Sequence, residues 1–215
     1  MLHDVVVKPA DGQIVRRAVI ILHGLGDSAD GIISLAEVFR PALPDTEFLA
    51  PDAPFPCDFS PFGFQWFSAD DWTSSVVLNG VEKAAAPLNA YIDHVMESRN
   101  LTADKIALLG FSQGTMMGLY VAPRRKKQLA GVLGYSGALV GAETLSRERE
   151  SSPPIMLVHG TNDEVVPFVS MNKAVEGLRN VNMNVSTVPC PNLGHSIDDN
   201  GITHGVMFLR KVFQL

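Results

Sequence analysis

One short stretch has the residue types and spacing for nucleophilic chemistry: Gly110-Phe111-Ser112-Gln113-Gly114. A serine on a tight strand-to-helix turn holds its hydroxyl clear of the sheet, but the turn crowds the backbone. A glycine two residues to either side relieves that crowding against the helix and the neighbouring strand. The helix start beyond it offers unpaired N–H groups and a positive dipole end, so the Gln113 N–H can point at a developing oxyanion. The five letters alone would suit a plain turn. Their setting favours the reactive one, because Lys105–Leu109 reads as an apolar strand and Thr115–Tyr120 as a helix.

A serine hydroxyl is a poor nucleophile near neutral pH and needs a base. Of the six histidines, His94 and His204 fall in helical stretches and His3 lies near a terminus. His159 ends a strand and suits a structural hydrogen bond, and His23 suits a scaffold role. His195, in a turn after the last strand, is expected at the sheet edge that carries Ser112. It completes the chain order Ser, Asp, His. The orienting acid is expected from Asp163, after the strand Ile155–His159, where its carboxylate would hold the imidazole tautomer. An aspartate there could equally cap the next helix. Asp198 and Asp199 stand close to His195 but read as the start of the closing helix. A second oxyanion donor is expected from the Leu25 N–H in the turn His23-Gly24-Leu25-Gly26-Asp27. Nucleotide binding is a weak reading of that turn, which lacks both G-x-G-x-x-G and G-K-[ST].

The elements that must position these residues repeat as apolar strand, Gly-containing turn, then amphipathic helix. Strands are expected at Ala18–Leu22, Thr46–Ala50, Lys105–Leu109, Ala130–Tyr135, Ile155–His159 and Val185–Val188. Their continuous hydrophobicity suits a parallel sheet covered on both faces. Helices are expected at Ala29–Phe39, Ser75–Ser98 with Pro87 inside, Gln113–Val121, Val166–Leu178 with Pro167 in its first turn, and Asp198–Val212. This is an α/β architecture with right-handed crossovers. Pro51–Asp71, with Phe55, Phe59, Phe62, Phe64, Trp66 and Phe67, reads as a long ordered loop. The aromatic segment Phe55–Trp72 either covers the sheet edge or lines an apolar pocket for an acyl chain. Met116 and Met117 read as core filling.

The 215 residues suit a single domain, 1–215, with 46% apolar and 19% charged residues to build a core. A formal charge of −6 argues against a dedicated nucleic-acid or anionic-membrane binder. The basic run Arg124-Arg125-Lys126-Lys127 reads as a solvated helix end, with docking to an acidic partner as the alternative. Two cysteines, Cys57 and Cys190, exclude a disulfide scaffold and a four-cysteine zinc site. No signal-peptide pattern and no run long enough to span a bilayer is visible, so a cytoplasmic location without stable membrane insertion is expected.

Five motifs fall in order: H-G-L-G-D at His23–Asp27, F-Q-W-F at Phe64–Phe67, G-F-S-Q-G at Gly110–Gly114, H-G-x-x-D at His159–Asp163 and G-H at Gly194-His195. Jointly they resemble the phospholipase/carboxylesterase family of α/β-hydrolases, over nearly the whole chain. The resemblance implies an α/β-hydrolase fold: a mostly parallel central sheet flanked by helices, with no large cap domain. It implies Ser112, His195 and Asp163 as triad and the Leu25 and Gln113 N–H groups as oxyanion hole. It also implies hydrolysis of a small-molecule ester or acyl thioester with no cofactor and no metal. Short- to medium-chain esters are the first expectation, and acyl-protein thioesterase or lysophospholipase activity the alternative. Trp66 and Phe67 are expected to touch substrate. A homodimer is a possible assembly. A non-catalytic interaction protein is a third reading, but it has no use for the full set of catalytic groups.

Overall fold

The computed structural model describes residues 2–12 and 14–215. In chain order the strands are β1 (Asp4–Val7), β2 (Arg17–Leu22), β3 (Thr46–Pro51), β4 (Phe55–Pro56), β5 (Phe64–Gln65), β6 (Ile106–Phe111), β7 (Gly131–Tyr135), β8 (Ile155–Gly160) and β9 (Val185–Cys190). Seven of them form one sheet in the order β1-β3-β2-β6-β7-β8-β9, and β4 pairs with β5 alone. All neighbours in the large sheet run parallel except the edge strand β1, which is antiparallel to β3.

The unbroken apolar runs arise because both faces of the sheet are covered. Along β2, Ala18, Ile20 and Leu22 enter one buried cluster while Val19 and Ile21 enter the other. The first face packs against α3 (Ser74–Ser98), α4 (Gln113–Val121), α5 (Ala142–Glu148) and α6 (Val169–Asn180). The second packs against α1 (Ala29–Ile32), α2 (Leu35–Phe39) and α7 (Asp199–Val212). Every residue of α4 is buried, so this helix has no polar face and departs from the expected amphipathic pattern.

Three other expectations need correction. Ala29–Phe39 is two short helices rather than one: the Ser34 hydroxyl donates back to the Gly31 carbonyl, and Ala36 N–H bonds Ile33 three residues back. A serine that offers the backbone such a local partner interrupts a helix. Pro167 precedes α6 instead of entering its first turn, because Ser170 N–H bonds Pro167 and Met171 N–H bonds Phe168 in tight turns. In the segment 51–71, Phe55, Phe59 and Phe62 are exposed while Trp66 and Phe67 are buried, so only part of it serves as cover. No helix among the described residues is long and apolar enough to cross a membrane.

Phe48, fully buried on β3, should cost about 3–5 kcal/mol when cut to alanine. Phe62→Ala, at a position 81% exposed, should stay within about 0.5 kcal/mol of the parent. Urea midpoints of the two variants check the contrast.

Candidate active site

Strand β6 ends at Phe111 and α4 begins at Gln113, which leaves a single residue, Ser112, to reverse the chain. Ser112 adopts φ 54° and ψ −117°, a conformation that side chains rarely occupy. Such strain costs on the order of 1–3 kcal/mol and persists only where the surroundings enforce it. They do so here by close approach of backbone to backbone. A Cβ on Gly114 would overlap the Leu22 carbonyl oxygen, and one on Gly110 would stand 2.5 Å from the Gly114 carbonyl carbon. Ser112 N–H donates to the Tyr135 carbonyl, and the Thr115 hydroxyl lies 2.8 Å from both the Gly110 and Tyr135 carbonyls.

Two loops from neighbouring strands meet beside this turn. The loop after β8 carries Asp163 and the loop after β9 carries His195. Asn162 N–H donates to Leu193 O, Thr161 N–H to Cys190 O, and Asn192 N–H to the Thr161 hydroxyl, so the loops are laced together. His195 Nδ1 lies 2.8 Å from Asp163 Oδ2. The other carboxylate oxygen, Oδ1, accepts from Val165 and Val166 N–H. Burial alone would raise the Asp163 pKa; the His195 bond and these backbone donors outweigh it and hold the carboxyl below its usual range. His159 completes the surroundings, with Nε2 bonded to Val166 O and 3.3 Å from Asp163 Oδ2. Asp198, the competing carboxylate, caps α7 by accepting from Gly201 N–H, and Asp199 falls in that helix's first turn.

Ser112 and His195 line one cleft of about 230 Å³ with Gly24, Leu25, Trp72, Phe111, Gln113, Val165 and Val166. No hydrogen bond joins Ser112 Oγ to His195 in this arrangement of the described residues; such contacts commonly tighten only around substrate. The Phe111 ring packs 4.8 Å from the His195 ring, centre to centre. Among the described residues, the N–H groups of Leu25 and Gln113 have no hydrogen-bond acceptor.

The loop that holds Leu25 hangs on a buried histidine. His23 Nε2 accepts from Ala53 N–H, so the ring proton sits on Nδ1 and donates to the Gly24 carbonyl. Burial pushes the His23 pKa down, against the pull of the Gly24 bond and of Asp27 and Asp52, which suits a neutral scaffold residue.

Trp66 and Phe67, expected to touch substrate, are buried in the core and do not line the cleft around Ser112. The Trp66 indole N–H donates to the His23 carbonyl instead. Trp72, the last aromatic of the segment expected to cover the sheet edge or line an acyl pocket, borders the cleft. The Gln113 side chain also has a role that was missed: Oε1 accepts from Trp66 N–H and Nε2 donates to Phe67 O. The available signal was a lone amide opening an otherwise apolar helix.

A mostly parallel sheet with helices on both faces, no large cap and a strand–serine–helix turn on a central strand belongs to the α/β-hydrolase class. Within that class, the chain belongs to the phospholipase/carboxylesterase family, whose sequence profile matches residues 2–213. It is therefore a carboxylic ester hydrolase by family. It is 30% identical to acyl-protein thioesterase 1 of Neurospora crassa over 194 residues, covering 83% of this chain and 79% of that protein. Against esterase YpfH of Escherichia coli the identity is 25% over 213 residues, covering 98% and 89%. The crystal structure of esterase PE8 superposes with a TM-score of 0.93 at 32% identity, covering 98% of this chain and 99% of that one.

The lowered Asp163 pKa has a consequence for stability. A carboxyl depressed on folding contributes stability above its unfolded value and loses it as pH falls through the folded one. The gap in urea midpoint between the parent and Asp163→Asn should be widest near neutrality. It should close in acid, below the ordinary carboxylate range.

Proposed function

We propose that the chain hydrolyses short- to medium-chain carboxylic esters through an acyl-enzyme on Ser112. The observation that carries this is the strained Ser112 turn opening on the same cleft as His195, whose Nδ1 meets a buried carboxylate, Asp163. With its Nδ1–H given to Asp163, a neutral His195 has its Nε2 lone pair free for the serine proton. Ser112 Oγ bonds the ester carbonyl carbon while His195 takes the hydroxyl proton. The tetrahedral oxyanion forms against the Leu25 and Gln113 N–H groups. The leaving alcohol departs with the proton that His195 returns. Water, deprotonated by the same histidine, then attacks the acyl carbon, and Ser112 is regenerated as the acid leaves. No step requires a cofactor.

The acyl side of the substrate has a path along Trp72. That residue borders both the Ser112 cleft and an adjoining pocket of about 220 Å³, which is also lined by Val77, Met116, Ala138, Leu139 and Val140, with Ser74, Gly141 and Glu143 completing it. The five apolar side chains of that lining suit a carbon chain. The 30% identity to an acyl-protein thioesterase favours a thioester as the second reading.

Ser112→Ala should remove most of kcat. Asp163→Asn should favour the wrong imidazole tautomer, a change that costs about 10⁴ in kcat in a serine protease. Asp198→Asn and Asp199→Asn should lose at most a few-fold. Activity that survives Asp163→Asn but collapses in Asp198→Asn would move the acid to the closing helix. A series of p-nitrophenyl esters and matching thioesters should give kcat/KM that peaks at short to medium acyl length and falls for long chains. A maximum at palmitoyl thioester would select the thioesterase reading instead.

A further inference from the structure

The segment Phe64–Phe67 touches both loops that would supply the oxyanion hole, although it does not line the cleft around Ser112. On one side it grips the first loop. Gly26 N–H donates to Phe64 O, Phe64 N–H donates to Asp27 O, and the Trp66 indole N–H donates to His23 O at 3.0 Å. Leu25 lies inside the span of chain that these three bonds fix. On the other side the segment grips the start of α4. Gln113 Oε1 accepts from Trp66 N–H at 3.1 Å, and Gln113 Nε2 donates to Phe67 O at 2.9 Å. Both bonds are buried, so breaking either leaves a polar group without water to replace its partner.

The segment is itself anchored at its back. β5 pairs with β4, and the Gln65 amide exchanges bonds with Asp58, donating to its carboxylate and accepting from its N–H. β4 follows Ala53, whose N–H donates to His23 Nε2, so the ring closes on the first loop again.

We propose that Trp66 and the Gln113 side chain are positioning residues, which through the strap Phe64–Phe67 set the distance between the Leu25 and Gln113 N–H donors. The inference rests on the oxyanion role given to those donors above. An oxyanion hole acts on the tetrahedral state and hardly on the bound ester, so a shift in donor spacing lowers kcat and leaves KM nearly constant. Misplacement by about 1 Å can cost on the order of 10²-fold in rate. A tryptophan that only filled core would show no such selectivity.

The test compares Trp66→Phe, which keeps an aromatic ring but deletes the N–H, with Gln113→Met, which keeps the length but deletes both bonds. Each full-length variant is assayed for kcat, KM, inhibition by a trifluoromethyl ketone that forms a tetrahedral adduct, and melting temperature. Ser112→Ala is run beside them on the same ester. The expected result is a roughly tenfold to hundredfold loss in kcat, a matching loss in trifluoromethyl ketone affinity, and a KM within about twofold. If Gln113→Met does not fold, Trp66→Phe decides alone. Unchanged kcat and inhibitor affinity in folded Trp66→Phe, while Ser112→Ala is inactive, would overturn the strap and leave the serine mechanism standing. Loss of kcat with an equal rise in KM would also overturn it. An active Ser112→Ala would instead remove the mechanism on which the strap rests.

Discussion

The contact on which the site's geometry depends is the approach of the first turn of α4 to the end of β2. Gly114 packs so close to the Leu22 carbonyl that no Cβ fits between them. With the helix seated there, one residue must turn the chain from β6 into α4. Ser112 takes the positive φ that this demands. The same contact brings the unpaired N–H groups of a helix start beside the loop that leaves β2. Leu25 and Gln113, on different elements, thus line one cleft.

The charge pattern around the cleft follows from which loops carry acceptors and which carry donors. Asp163 is buried, yet it remains an acceptor because three N–H groups converge on its two oxygens, from Val165, Val166 and His195. A carboxylate so supplied holds its charge where an isolated one would take up a proton. His23 shows the opposite solution. It is buried among one backbone donor and one backbone acceptor, which match the two nitrogens of a neutral ring. The two histidines therefore differ in role by the partners the backbone offers them.

Much of this was legible in the sequence because its signals are local. Continuous apolar runs marked the strands of a doubly covered sheet, and the spacing of Gly110, Ser112 and Gly114 marked the turn. The order Ser112, Asp163, His195 placed three side chains on loops at one sheet edge, where the structure brings Asp163 and His195 into contact. What escaped was set by long-range partners. Strand β1 is only half-buried and is defined by pairing with β3 some 40 residues on, from Asp4 opposite Pro51 to Val7 opposite Phe48. Trp66 looked like a substrate contact because aromatic residues serve pockets and cores alike; its burial against His23 depends on a fold that no local window contains. The break between α1 and α2 turned on one Ser34 hydroxyl bond, invisible to periodicity.

The basic run after α4 shows how the strain at Ser112 is held from the far end of the same helix. Arg124 donates to Glu148, to the Tyr120 and Gly141 carbonyls and to the Thr144 hydroxyl, and its guanidinium lies 3.8 Å from the Tyr120 ring centre. Arg125 bonds Asn89 and Asp93 on α3. Cations at the C-terminal end of a helix also favour its dipole. Two residues of a run that reads from sequence as a solvated helix end are thus fasteners between α4 and its neighbours α3 and α5. A helix of nine residues, fixed by Arg124 at one end and by the Gly114 contact at the other, has little freedom to slide. If it could slide along its axis, the Ser112 turn would relax out of its positive φ, and the serine would lose its elevation above the sheet.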